Sequence, residues 1–465
     1  MKSNSEKREE KKRKVFNLLL KRIMGRIKVK KRSKKVETGT VEGLSEWSVL
    51  KSEERKKFLC VFFKFEDGPL LYSLYAYVIA ASDFINVPNP PPPSPAVTIL
   101  EMPRHEKFPI GMACVELGSR IYFVGGQCQL EDGYYASKKV YYLDFNTFRN
   151  KLTSTTSSSG SLINCDELSE CPNMNGGKCN PVVMTANGKL YVLTSLIGGD
   201  LNTRTLGSPP DFNVTDWTLI AFYGSEWKSC AFEVYDPVMD EWTILPLPTS
   251  YSSPKHILPA YCHGHAVIHD KIFFCNWGDI ISTFDLKTHK WKFFDAKTIA
   301  KTQAQTCDDA FARSLVDNPV SGCGLVLNDT LYGFSPSRGG VCTFCAYHIP
   351  DNLGDAFISR ASLKLTDSYQ LNRDSKSGLV AVQAGFFYLG NDNFCSVFRE
   401  TPEIKYTEQE DEDPHEASEV YFVVFQIVKE RTCSGDICWP INQSRPCKVQ
   451  GINADLGSIL DFFTL

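Results

Sequence analysis

The sequence predicts an all-β chain built from repeats of about four antiparallel strands, and two observations predict it. From about Phe58 onward, short runs rich in Val, Ile, Tyr and Phe alternate with Gly, Asn-Gly, Asn-Asp and Pro. β-branched and aromatic runs between turn formers are the grammar of strands and hairpins. The second observation is that these runs recur as a unit. A small-residue strand, a tight turn and an apolar strand appear as GMACVELGSRIYFVGG (111–126), NPVVMTANGKLYVLTS (180–195), GHAVIHDKIFFCNWGD (264–279), GCGLVLNDTLYGFS (322–335) and GLVAVQAGFFYLGN (378–391).

The joining turns are ELGS, ANG, HD, ND and QAG, all suited to hairpins. A third strand follows each pair: KVYYLDF (139–145), AFEVYDP (231–237), IISTFDL (280–286), VCTFCAYHI (341–349) and VYFVVFQIV (420–428). A fourth element shows in two copies, where Tyr235-Asp236 precedes Trp242 and Phe284-Asp285 precedes Trp291 at the same offset. These two Trp residues are expected to be buried. FLCVFFKF (58–65), the turn Glu66-Asp67-Gly68 and LLYSLYAYVIAA (70–81) supply a further unit, to which the C-terminal KVQGINADLGSILDFFTL is expected to add a closing strand. A single four-stranded sheet of this composition is apolar on both faces. Radial stacking of about six such sheets covers those faces, which is the β-propeller solution.

The residues resemble the kelch family of β-propellers. The resemblance rests on Gly125-Gly126 closing the strand IYFV, on Gly198-Gly199 and Gly339-Gly340 in looser positions, and on Tyr235, Asp236, Pro237 and Trp242, repeated as Phe284, Asp285 and Trp291. It covers about 110–430 and is similar to diverged kelch proteins of plants, many of which carry an F-box before the propeller. Here 36–57 is too short for an F-box. The resemblance implies a six-bladed propeller of four-stranded blades that binds a protein partner, with substrate recognition in a ubiquitin ligase as its specific version. Kelch enzymes that hold a metal or small molecule in the channel are the alternative it implies. Glycines are needed where a strand ends against backbone, and Trp fills the space between blades.

Composition divides the chain. Residues 1–35 carry 16 Lys/Arg against 3 Glu, a balance of +13, and the other 430 carry 35 basic and 51 acidic residues, a balance of −16. Residues 1–45 are too charged to fold alone and are expected to be a disordered basic tail. Residues 46–465 form the propeller, with a Pro-rich linker at 87–95 and an acidic insertion at 403–419. Lys11, Lys12, Arg13 and Lys14, then Lys30, Lys31, Arg32, Lys34 and Lys35, form two basic clusters that resemble nuclear-import signals. The Phe16, Leu19, Leu20, Ile23 and Ile27 stripe between them equally suits an anionic membrane, and the charge suits a nucleic acid. The expected location is the nucleus, the cytoplasm or both.

The most apolar window, Pro69 to Ala81, has 13 residues, below the roughly 20 that a spanning helix needs. The charged N-terminus is no signal peptide, so the 17 cysteines read as reduced thiols. Chemistry-bearing clusters are few. His263, His265 and His269 share one face if their strand is continuous, and three imidazoles there suit zinc or copper. Cys342 and Cys345 with His348 have a metal-like spacing, yet in a strand an offset of three sends the two sulfurs to opposite faces. Cys165, Cys171 and Cys179 lie in one long loop at no standard spacing, Cys433 and Cys438 form no recognisable set, and EQEDED (408–413) lacks a calcium loop's alternating ligands. No nucleophile is paired with an orienting base, so no catalysis and no cofactor are expected.

Overall fold

The structure is a computed structural model. It describes residues 57–65, 69–79, 97–104, 107–130, 133–147, 163–179, 181–194, 230–247, 262–276, 280–295, 315, 321–327, 330–336, 342–348, 363–364, 379–402, 419–427 and short segments between 430 and 464. The chain divides into two compact units, Met1–Glu53 and Glu54–Leu465. The first lies outside the described residues, and with it the predicted tail.

Among its described residues the second unit is mostly β, and its main strands are grouped as sheets I to VI, lettered a to d in pairing order, with two further two-stranded ladders outside this grouping. Sheet II is Ala113–Leu117, Arg120–Val124, Val140–Asp144 and Ser169–Glu170. Sheet III is Val182–Ala186, Lys189–Leu193, Phe232–Asp236 and Glu241–Ile244. Sheet IV is Cys262–Ile268, Lys271–Asn276, Ile280–Asp285 and Trp291–Asp295. Sheet V is Ser321–Leu327, Thr330–Pro336, Cys342–His348 and Leu363–Lys364. In sheet VI, Leu379–Gly390, Asn393–Pro402 and Glu419–Ile427 are followed by the short outer strands Ile441–Gln443 and Cys447–Lys448.

Sheet I joins the two ends of the unit. Its strands b to d are Lys57–Phe65, Leu70–Ile79 and Val97–Pro103, and its strand a is the C-terminal Gly457–Thr464, paired from Leu59↔Thr464 to Phe65↔Gly457. The C-terminal strand expected from the sequence therefore pairs with the first strand of the unit. Strand d was not legible, because it follows the proline run directly.

Alternation explains the packing, since successive strand residues face opposite sides. In sheet II, Cys114, Ile121, Phe123, Tyr141 and Leu143 pack against Phe62, Leu74, Ala76 and Ile99 of sheet I. Their neighbours Tyr122, Val124 and Val140 pack against Val183, Leu190, Val192 and Tyr235 of sheet III. The other face of sheet III, with Met184, Tyr191, Leu193 and Phe232, meets Ile272, Phe274 and Phe284 of sheet IV. Ala266, Phe273 and Ile281 then meet Leu331 and Tyr347 of sheet V. The a strands touch in the same succession, I to II, II to III, III to IV, IV to V and V to VI, and that of VI touches that of I. The a strands of IV and V also pair in parallel, at Gly264↔Gly322 and His265↔Cys323, which fuses the two sheets into one of eight strands.

The Asp and Trp of the fourth element have separate tasks. Asp236 Oδ1 accepts the amide N–H groups of Val238 at 2.9 Å and Met239 at 3.4 Å. Asp285 Oδ1 does the same for Lys287 at 3.0 Å and Thr288 at 2.7 Å, so each carboxylate shapes the c–d turn. Each Trp ties its sheet to the preceding one. Trp242 Nε1 donates to Pro172 O at 2.8 Å, just beyond strand d of sheet II, and Trp291 Nε1 to Pro246 O at 2.7 Å, just beyond strand d of sheet III. Both rings are partly buried rather than buried, since each stands on the outermost strand of its sheet.

The fifth repeat departs from the predicted register. GLVAVQAGFFYLGN is no hairpin: residues 379–390 run straight through QAG as one strand. The turn comes later, at Gly390, Asn391 and Asp392, whose φ values are 102°, 50° and 58°. A bulge between Ala381 and Gln383 carries the strand past the apparent turn, and NFCSVFRETP becomes strand b.

Trp291→Phe is expected to cost about 1 kcal/mol by removing one hydrogen bond. Trp291→Ala is expected to cost about 3–5 kcal/mol, because Phe232, Phe274 and Phe284 all pack on the ring. Urea unfolding checks both; equal costs would show that the indole N–H, not the ring, holds the two sheets.

Candidate functional site

The topology sorts the connections. The chain reverses at each one, so a–b and c–d turns lie at one end of every sheet and b–c and d–a connections at the other. In sheets III and IV the first end has only tight turns: Asn187-Gly188, 237–240, His269-Asp270 and 286–290. The strands that border 125–139, 171–181, 194–231, 245–261, 296–320 and 403–418 end at the second end, and of these connections mainly 125–130, 133–139, 171–179, 230–231 and 245–247 are described. The c–d connections of sheets I, II and V, at 80–96, 145–168 and 349–362, lie outside the described residues except for 145–147 and 163–168.

The described part of the second end is built on a buried polar node. The insertion after strand b of sheet II contains a hairpin, Gln127–Leu130 with Gly133–Ala136. At its root stand Gly125 and Gly126, with φ of 65° and 95°. A Cβ on Gly125 would lie 2.7 Å from Lys178 O, and one on Gly126 2.8 Å from Ile110 O, so backbone fills the side-chain space. Gly126 N donates to Lys178 O at 2.8 Å, and Lys178 N to Ser137 O at 3.0 Å. Gly198-Gly199 and Gly339-Gly340 lie outside the described residues.

Lys178 and Glu233 are both fully buried and form an ion pair. Lys178 Nζ also donates to Gly176 O at 2.9 Å and Cys230 O at 2.6 Å. Glu233 accepts from Asn175 N and Nδ2, each at 2.8 Å, and from Gly176 N at 2.9 Å. Burial pulls the Lys178 ammonium below its ordinary range, and the Glu233 carboxylate opposes that pull. Every polar atom has a partner, so the node is a structural clamp. It joins the hairpin root, the II–III connection and the segment entering strand c of sheet III. Nothing in the sequence marks the pair, whose members are 55 residues apart.

The candidate clusters of the sequence are placed as follows. The strand is not continuous in register at His263, which is the extra residue of a bulge between Cys262 and Gly264. His269 sits in the a–b turn with φ of 51°. Desolvation at the inner strand lowers the His265 imidazole to about 4. Cys342, Cys345 and His348 lie on one strand of unbroken register, and their side chains lie outside the described residues. Cys165 is on a 3-10 turn (Cys165–Glu167), Cys171 is buried beyond strand d of sheet II, and Cys179 is buried in the II–III connection. Among the described residues no three His, Cys, Asp or Glu side chains group around a metal position. Residues 408–413, Cys433 and the basic clusters Lys11, Lys12, Arg13, Lys14, Lys30, Lys31, Arg32, Lys34 and Lys35 lie outside the described residues. Among the described residues no helix is long and apolar enough to cross a membrane.

No family model matches the sequence, and no curated protein matches it. Among solved structures the chain is similar to YjhT, at 14% identity and a TM-score of 0.32 over 70% of this chain and 88% of that one. It is also similar to the N-terminal domain of Nup159, at 11% identity and a TM-score of 0.30 over 84% and 68% of the two chains. Likenesses this low carry no argument, and the architecture rests on the strand pairing itself.

Removing one member of the clamp strands a buried charge. Lys178→Met and Glu233→Leu are each expected to cost about 3–5 kcal/mol in urea unfolding, with the double variant well short of their sum. Strict additivity would mean that the pair is not coupled. A pH series tests two further groups. Burial raises Glu116 on strand a of sheet II to about 7 from 4.5, so it binds its proton more tightly folded, and stability falls as pH rises through that interval. Glu116→Gln should therefore stabilise by about 1–2 kcal/mol at pH 8 and by nothing at pH 4. The lowered His265 acts oppositely, losing stability as pH falls from 6.5 toward 4, and His265→Asn should flatten that limb.

Proposed function

We propose that the chain is a closed six-bladed β-propeller of kelch type that serves as a non-catalytic scaffold for protein–protein recognition. The observation that carries this reading is the unbroken succession of a-strand contacts from sheet I through sheet VI and back, joined by the chain ends meeting in sheet I. In this reading the recognition surface is the b–c/d–a end, whose described part is held by the Lys178–Glu233 clamp. Loops held on a rigid frame bind with less ordering cost than free ones. The kelch resemblance adds the specific version, presentation of a substrate to a ubiquitin ligase through an adaptor contact outside an F-box. The basic segment 1–45 directs the chain to the nucleus in this reading.

Proximity labelling with the full chain tests it. Replacing 127–136 by a two-residue turn should remove a defined set of neighbours while leaving the unfolding midpoint nearly unchanged. An unchanged neighbour set would sink the loop-end reading, and recovery of no cullin-type neighbour would sink the ligase version. Changing Lys11, Lys12, Arg13 and Lys14 to Ala should move a fluorescent fusion out of the nucleus. If only polar replacements of Phe16 and Leu19 relocate it, the segment is a membrane-binding helix.

A further inference from the structure

The opposite end carries a second surface, and an internal comparison isolates it. The c–d turns of sheets III and IV have the same backbone. In both, the Asp at the end of strand c caps the next amides, as above. Asp240 N donates to Asp236 O at 2.8 Å and His289 N to Asp285 O at 2.9 Å. Asp240 and His289 both occupy the left-handed region, at φ of 55° and 54°. Each is held in place by its own means: the Tyr235 hydroxyl donates to Asp240, whereas His289 stacks on Phe284 at 5.9 Å.

The side chains on this shared frame are opposite in character. Sheet IV places Lys287, Thr288 and Lys290 where sheet III places Val238, Met239 and Glu241. The turn therefore does not require apolar residues at its tip. Yet Val238 is 88% and Met239 65% exposed, the two largest exposures among the large apolar side chains of the described residues. Asp240 and Glu241 follow directly and are exposed, while Asp236 behind them is neutralised by Lys189 at 2.8 Å. The tip is a rigid apolar pair with an acidic rim. An apolar pair held exposed on a preformed turn can be covered by a partner at little ordering cost.

We propose that residues 237–241 form a docking knob for a basic amphipathic segment of a partner protein, which covers Val238 and Met239 with its apolar stripe and faces Asp240 and Glu241 with Lys or Arg. This surface is separate from the loop end and stands independently of the propeller reading. The acidic rim selects against anionic membranes and nucleic acids.

The test uses the full chain and a labelled amphipathic peptide of Leu and Lys at helical spacing, read by fluorescence anisotropy. The variant V238K/M239T installs the sheet IV residues, so it should keep the wild-type unfolding midpoint and weaken binding by about tenfold or more. E241K should weaken it by about threefold and reduce its salt dependence. E170K, the same charge change on the outer strand of sheet II, should leave it within about twofold. Three results would overturn the proposal: equal affinities for all variants, equal binding of a Leu and Glu counterpart peptide, or preference for phosphatidylcholine vesicles over the peptide. A lowered midpoint for V238K/M239T would also overturn it, by giving the apolar pair a role in the fold.

Discussion

The structure depends on one constraint: its sheets are apolar on both faces. Tyr122 and Phe123 are adjacent in one strand and both buried, one against sheet III and the other against sheet I. A sheet of this kind exposes a large apolar face unless it has two neighbours, and at roughly 25 cal/mol per Å² that exposure is costly. Each sheet is therefore stable only in the stack. The stack also needs its ends covered, which accounts for a C-terminal strand that pairs with the first strand of the unit. The Trp-to-proline-carbonyl bonds fasten the outer rim of the same interfaces, where apolar burial runs out.

Where connections cross between sheets, apolar burial cannot do this work, because backbone polar groups need partners. The Lys178–Glu233 clamp meets that need with side chains and binds three connections together. Such a pair has a high desolvation cost and adds little net stability over an apolar substitute. Its effect is to specify one arrangement of otherwise long connections.

The c–d turns show how geometry and surface chemistry separate. Asp236 and Asp285 impose one backbone, and the residues between the Asp and the Trp are free to vary. One copy uses that freedom for Lys287, Thr288 and Lys290, the other for Val238, Met239 and Glu241. A repeat architecture thus offers several equivalent frames whose exposed positions can each take a different ligand chemistry without disturbing the core.

The strand runs, the hairpins at Gly118-Ser119, Asn187-Gly188 and His269-Asp270, and the Asp…Trp element were legible in the sequence, because each depends on residues a few positions apart. Local turn chemistry and alternation determine them before any sheet is assembled. The hairpin read into QAG failed because a bulge at Ala381–Gln383 is set by pairing with strand b, and only the later Gly390-Asn391-Asp392 turn reverses the chain. The continuous strand expected at His263 and His265 is interrupted for the same reason, a bulge decided by the partner strand. The parallel join of His265 to Cys323, the closing strand's register and the Lys178–Glu233 clamp depend on residues 58, 405 and 55 positions apart. Sequence by itself determined which segments are strands and where most of them turn, since those choices are local. Tertiary structure alone decided which strands meet and which charges must pair, since only burial makes an unpaired group or an uncovered face costly.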